Sequence, residues 1–243
     1  MDYYQSDLAL VHALGYGQHA DNCAPGVLGL LAPVLGGQVL EVGCGAGALT
    51  RHLLAAGHRV IATDASADML ALARTALTRT GRGGSADLRR LTLPDDPLPA
   101  ADAIVSAGHV VSYLPDAAAV DRALEAMAGA LRPGGVLALD ILDLEYGRLR
   151  AGDTAVGRAE PDWAIITGYS APAPDRFVRD ITTFVPDGTG AWRRADERHE
   201  NVLVDVSLIP ALLAGFGVRA EVGRRFGAAE LPAGLRTVTG SKD

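Results

Sequence analysis

Lysine is nearly absent from this chain: of 22 basic residues in 243, only Lys242 is not arginine. Cysteine is almost as scarce, and Cys23 and Cys44 alone cannot form a disulfide framework. A reducing, cytoplasmic setting is therefore expected. No window approaches the ~18 uncharged apolar residues that a membrane span needs. The opening MDYYQSDLAL has no basic region leading into an apolar run, so neither a signal peptide nor a membrane partner is expected. Positive charge of the kind that neutralises phosphates is also lacking. The net charge is −7 with no basic stripe, which disfavours nucleic acid as the main partner. Abundant Ala, Gly and Arg reflect a GC-rich coding sequence rather than a functional patch.

What is present is a rhythm of short apolar runs and amphipathic helices. Residues 1–35 read as helical, broken near the glycines of HALGYGQHADN. QVLEVG (38–43), HRVIATD (58–64), SADLRRL (85–91), DAIVSAG (102–108) and GGVLALDIL (134–142) read as strands. Between them, ALTRHLLAAG (48–57), SADMLALARTAL (66–77, Ser66 as N-cap) and DAAAVDRALEAMAGALR (116–132) read as helices. Such alternation predicts βαβ units and a parallel sheet with helices on both faces. After about residue 150 the pattern turns β-rich. Two β-type runs flank Pro186-Asp187-Gly188-Thr189-Gly190, and a turn centred there would set Arg179 opposite Glu197 and Arg176 opposite Glu200. A proline-bearing helix (205–217) and two closing strands complete the chain. The expected organisation is a single domain over 1–243: a helical lid (1–35), a cofactor-binding core (36–142), a β-rich insertion (150–205) and a closing helix and strands (206–243).

The chemistry begins at VLEVGCGAG. Glycines between a strand and a helix let backbone approach a ligand closely, and Gly43, Gly45 and Ala48 satisfy the G-x-G-x-x-G/A form of a dinucleotide-binding turn. Glu41, two residues before Gly43, is out of place beside a pyrophosphate but suits a ligand with a cationic amino group. Asp64, ending the next strand 23 residues later, is placed to accept hydrogen bonds from both hydroxyls of a ribose. An N-cap role for Asp64, and ordinary core packing for Met69, remain open beside these readings.

VLEVGCGAG, VIATDAS, SADLRRLTLPDDPLPAADAIVSAG and LRPGGVLALD, in that order and at that spacing, resemble the motifs of class I S-adenosylmethionine-dependent methyltransferases over residues 36–142. The resemblance implies a Rossmann-like α/β fold with a mostly parallel seven-stranded sheet, and S-adenosyl-L-methionine as cofactor. It implies that Glu41 and the backbone of Gly43, Cys44, Gly45 and Gly47 hold the methionine end. Asp64 would clamp the ribose, Ala65 and Met69 would face the adenine, and Asp87 and Leu88 would meet its edge. Ser106, Ala107 and Gly108 would lie beside the sulfonium. No metal is expected.

Methyl transfer requires positioning, desolvation and, for a protonated nucleophile, a base. His109 leads the candidates because it follows the strand end that should face the methyl group. An imidazole near its ordinary pKa of ~6.5 could take the proton. Tyr16 and His19 follow, on the expected lid, with Tyr113 and His199 behind them, while His12, His52 and His58 read as surface or helix-end residues. Trp163, Tyr169, Phe177, Phe184 and Trp192 concentrate aromatic character in the insertion, to line a pocket or to fasten it to the sheet. The expected partner is a small-molecule acceptor, methylated on nitrogen or oxygen, and a homodimer is compatible with this reading. Two other readings stand beside it: a protein of this fold that binds the cofactor without transfer, and a nucleotide-dependent oxidoreductase.

Overall fold

The computed structural model describes residues 3–79, 86–150, 152 and 155–243. Its centre is a seven-stranded sheet. Five strands are parallel: β1 (Gln38–Val42), β2 (Arg59–Asp64), β3 (Ala86–Arg90), β4 (Ala101–Ser106) and β5 (Leu131–Leu142). With β10 (Val218–Gly223) and β13 (Leu235–Lys242) the order is β10-β13-β5-β4-β1-β2-β3, and β13 runs antiparallel to both its neighbours. The chain winds outward from β1 in one direction and from β4 in the other. The carboxyl ends of β1 and β4 therefore flank a crevice, the place where open α/β sheets bind ligands.

Alternating side chains on the strands build two cores. Val39, Val60, Ala62, Val105 and Ala138 pack with α2 (Gln18–Leu30), α3 (Ala48–Ala55) and α4 (Ala67–Arg79). Leu40, Ile61, Ile104, Leu137 and Leu139 pack on the other face with α5 (Ala117–Ala130) and α7 (Ile209–Ala214). The period-2 pattern of a strand buried on both sides produces this three-layer arrangement. As anticipated, Ser66 caps α4: its hydroxyl accepts from Met69 N at 3.2 Å. The predicted helix 116–132 stops at Ala130, because Leu131 and Arg132 already extend into β5 before the Pro133-Gly134-Gly135 stretch. The glycine-rich stretch 80–85, including the first residue of the predicted third strand, lies outside the described residues.

α1 (Ser6–Gly15) precedes α2, and α6 (Leu144–Arg150) follows β5. The insertion is a four-stranded antiparallel sheet of β6 (Val156–Glu160), β7 (Trp163–Ala173), β8 (Arg176–Pro186) and β9 (Trp192–Val202). Only the last two were anticipated. The β8–β9 register also differs: Arg179 faces His199 and Arg176 faces Val202, rather than Glu197 and Glu200. The turn closes one residue later than assumed, with Asp187 N bonded to Ala191 O at 3.0 Å. That slides the pairing by two, which leaves every side chain on its original face. Trp163 and Ile165 of β7, with Ile181 and Val185 of β8, pack on Leu8 and Val11 of α1, so the small sheet is fastened chiefly to the N-terminal helix. Phe177 and Tyr169 instead join the core beside Tyr146, while Trp192 is exposed. A short hairpin, β11 (Arg225–Phe226) and β12 (Ala229–Glu230), lies against α2. No helix among the described residues is long and apolar enough to cross a membrane.

Candidate cofactor and acceptor site

β1 runs into Gly43-Cys44-Gly45-Ala46-Gly47, and the three glycines hold φ values of +73°, +53° and +85°. An L side chain resists this backbone. A Cβ on Gly43 would lie 2.3 Å from Val110 Cγ2, whereas one on Gly45 would meet nothing within 4 Å. The first glycine is thus required by packing, and the second faces open space. Cys44 N donates to Thr63 O at 2.8 Å and Gly45 N to Asp64 Oδ2 at 2.8 Å, tying the loop to the end of β2.

Two cavities meet along this loop. The smaller, about 630 Å³, is lined by Asp64, Ala65, Ser66, Met69 and the 90–93 stretch. The larger, about 1110 Å³, is lined by Gly43 to Ala48, His109, Tyr16, His19, Tyr146, Tyr169 and Arg179. Tyr4, His12, Gly43, Gly45, Ala107 and Gly108 belong to both.

The anticipated residues fall into three groups. Gly43, Gly45, Asp64, Ala65, Met69, Ala107 and Gly108 border the smaller cavity, and Cys44 and Gly47 the larger. Asp64 Oδ1 also accepts from Ser66 N at 2.9 Å, and burial pushes its pKa up against the pull of these amides. Glu41 and Ser106 stand behind the walls. Glu41 is 2% exposed under α3, where Thr50 Oγ1 donates to it at 2.6 Å. Burial pushes its pKa up to about 8, so it is no ready anion for a cationic group in the cavity. The Ser106 hydroxyl is buried without a partner among the described residues. Asp87 and Leu88 are misplaced altogether. Asp87 sits mid-strand opposite Ile61, exposed and paired with Arg89 at 2.5 Å, and Leu88 packs into the core. Strand register explains the error: Asp64 pairs with Arg90, so β3 reaches the cavity three residues after Asp87.

The residues expected to act as bases are corrected by burial and charge. His109 adopts φ +49° directly after Gly108, and its Nδ1 has no partner among the described residues. Desolvation, then the nearby Arg179 charge, lowers its pKa to about 3, which leaves a neutral and weakly basic imidazole. His19 is the reverse case. Its Nε2 lies 2.7 Å from Asp140 Oδ2, and that bond raises its pKa to about 10, so it is an imidazolium at neutral pH. Tyr16 stacks on His12 at 5.7 Å at the cavity edge, and burial raises its pKa. His199 is fully buried against Glu197 at 3.0 Å and does not line either cavity. His12 borders both cavities rather than the surface, and desolvation lowers its pKa to about 4. His58 is likewise buried.

Neither Asp140 nor Arg179 was expected at the site. Asp140 is fully buried on β5 and accepts from Gly108 N (2.9 Å), His109 N (2.6 Å) and His19. Burial alone would raise its pKa, but the His19 bond and charge hold the carboxyl below its ordinary range. An acid inside the apolar run LALDIL was the available signal.

A glycine loop between parallel strands, a carboxylate at the end of the next strand and a crevice where the winding reverses define a Rossmann-like nucleoside-cofactor fold. The comparisons narrow it. Residues 40–137 match a family model described as a methyltransferase domain. Over 116 residues the chain is 36% identical to a malonyl-[acyl-carrier protein] O-methyltransferase from Pectobacterium atrosepticum. That stretch is 48% of this chain and 43% of the relative, so the match spans less than half of the relative's length. An S-adenosylmethionine-dependent methyltransferase from Clostridium acetobutylicum shares the fold over 96% of both chains, with a TM-score of 0.78 at 18% identity. The sugar N-methyltransferase KedS8 from Streptoalloteichus aligns over 100% of this chain and 95% of its own, with a TM-score of 0.75 at 21% identity. Residues 40–137 thus match a methyltransferase domain, and the chain has the fold of S-adenosylmethionine-dependent methyltransferases.

Proposed function

We propose that this protein transfers the methyl group of S-adenosylmethionine to a nitrogen of a small-molecule amine. The smaller cavity suits the adenosine, with Asp64 on the ribose hydroxyls and Ala65, Met69, Leu91 and Leu93 around the adenine. The open space over Gly45 suits the methionine end, and Ala107 and Gly108, shared by both cavities, would border the sulfonium. When bound, the cofactor supplies an activated methyl carbon; the chain's own part is to orient the acceptor and exclude water.

The observation that carries the choice of nitrogen is the state of the imidazoles. His109 and His12 are too weakly basic to take a proton at neutral pH, and His19 already holds one. An acceptor must therefore be nucleophilic without first losing a proton, as a neutral amine is and an aliphatic hydroxyl is not. Neutral imidazoles can still accept an N–H hydrogen bond and so aim the lone pair. A sugar N-methyltransferase among the proteins of this fold agrees with this reading.

Calorimetry with S-adenosylhomocysteine and NADH, followed by mass-spectrometric turnover of a panel of amines and phenols, tests it. Binding of the former and methylation of amines are expected. NADH binding in its place would make the protein an oxidoreductase, methylation confined to hydroxyls would overturn the nitrogen assignment, and binding without turnover of any metabolite extract would leave a cofactor-binding protein.

A further inference from the structure

Alternation along β8 places Phe177, Arg179, Ile181, Thr183 and Val185 on one face, and all but Arg179 are buried. A guanidinium thus interrupts a buried row, flanked in register by Tyr169 of β7 and His199 of β9. Its Nη2 donates to the Tyr113 hydroxyl and to Asn201 Oδ1, neither of them a carboxylate. Its Nε is shielded from solvent without a partner among the described residues. Among those residues no carboxylate forms an ion pair with it. Glu197, diagonal to it on β9, is taken up by the amides of Tyr4 and Gln5 and by His199. A desolvated cation without a counter-ion is costly, and here it borders the larger cavity.

Arg51, Arg79, Arg150 and Arg158 line the same cavity, whose one lining carboxylate is Asp21; Arg158 pairs with Glu160 at 2.9 Å. Asp21 is already engaged by Arg51 and His52. In a chain of net charge −7 this positive lining is local.

Building on the methyl-transfer reading, we infer that the acceptor carries an oxyanion, a carboxylate or a phosphate, seated on Arg179 in the larger cavity. The planar fork of a guanidinium matches either group. Arg179 lines the larger cavity and not the smaller one proposed for the adenosine.

The test uses the full-length protein saturated with S-adenosylhomocysteine, titrated at constant ionic strength with sodium phosphate and, separately, sodium acetate. Thermal shift and calorimetry read binding to wild type, Arg179→Gln and Arg179→Lys. At least one anion should bind saturably, about tenfold or more weakly to Arg179→Gln, with Arg179→Lys between them. Phosphate binding alone assigns a phosphate-bearing acceptor, acetate alone a carboxylate, and both a general oxyanion seat. Binding of neither anion, or equal binding to wild type and Arg179→Gln, overturns the inference. A collapse of S-adenosylhomocysteine affinity in Arg179→Gln overturns it too, since Arg179 would then belong to the cofactor. If wild type does not bind S-adenosylhomocysteine, the methyl-transfer reading fails separately, and the anion titration of the ligand-free protein still decides the site. Arg179→Gln should melt no lower than wild type, because it loses a charge that no carboxylate among the described residues compensates.

Discussion

Replacing Asp140 by Asn probes how α2 is held to the sheet. The carboxylate receives the amides of Gly108 and His109 on one side and the His19 ring of α2 on the other. Breaking a buried pair on one side costs about 3–5 kcal/mol. Asn keeps one acceptor oxygen, so about 3 kcal/mol is expected, or ~6–12 °C in Tm for a chain of this length. Linkage provides a second reading. His19 rises from 6.5 to about 10 on folding, so its stabilisation is complete below pH 6.5 and is lost as pH climbs through about 10. At about 1.36 kcal/mol per unit the ceiling is near 5 kcal/mol. The ring keeps 32% exposure, and solvent screening lowers the figure to about 2–3 kcal/mol. Asp140 has the opposite sign: its contribution is present above the ordinary carboxylate range and is lost as pH falls through its depressed folded value. Circular dichroism melts of wild type, Asp140→Asn, His19→Gln and the double variant at pH 6.5, 8 and 10 measure the coupling. It should be largest at pH 6.5 and mostly gone at pH 10. Melting points within about 2 °C of each other, or a coupling that ignores pH, would refute the reasoning.

Other perturbations follow from the same geometry. Asp64→Ala removes the carboxylate that ties down Gly45 and would meet the ribose, so S-adenosylhomocysteine affinity should fall at least about tenfold by calorimetry while the fold survives; unchanged affinity rules out this role. Gly43→Ala drives a Cβ into Val110 and should cost about 1–3 kcal/mol in denaturant unfolding. The Cβ of Gly45→Val meets no protein atom within 4 Å, so the variant should fold at a backbone strain of about 1–2 kcal/mol yet lose cofactor binding; normal binding would place the ligand elsewhere. With an amine acceptor, His109→Ala should lower kcat by less than about tenfold, and the pH profile of kcat/KM should still follow the acceptor's own pKa. A protein-derived limb near pH 6.5 that vanishes in the variant would restore His109 as a base.

The apolar runs and the glycine loop were legible in sequence because they are local. Strands buried on both faces need continuous Val, Ile, Leu and Ala, and the Gly43 and Gly45 backbone tolerates little but glycine. Asp64 could be placed for the same reason, at the end of a recognisable strand. What tertiary structure alone decided was electrostatic and long-range. The Asp87 assignment failed because strand register, which aligns Asp64 with Arg90, is a property of paired strands rather than of either one. His109 has an ordinary side chain; the burial of its ring, then the charge of Arg179, 70 residues further on in sequence, make it a poor base. His19 is a cation only because the fold brings β5 and Asp140 to it across 121 residues. A sequence specifies which groups can titrate; their protonation follows from desolvation and neighbouring charge, which exist only once the chain has closed around them.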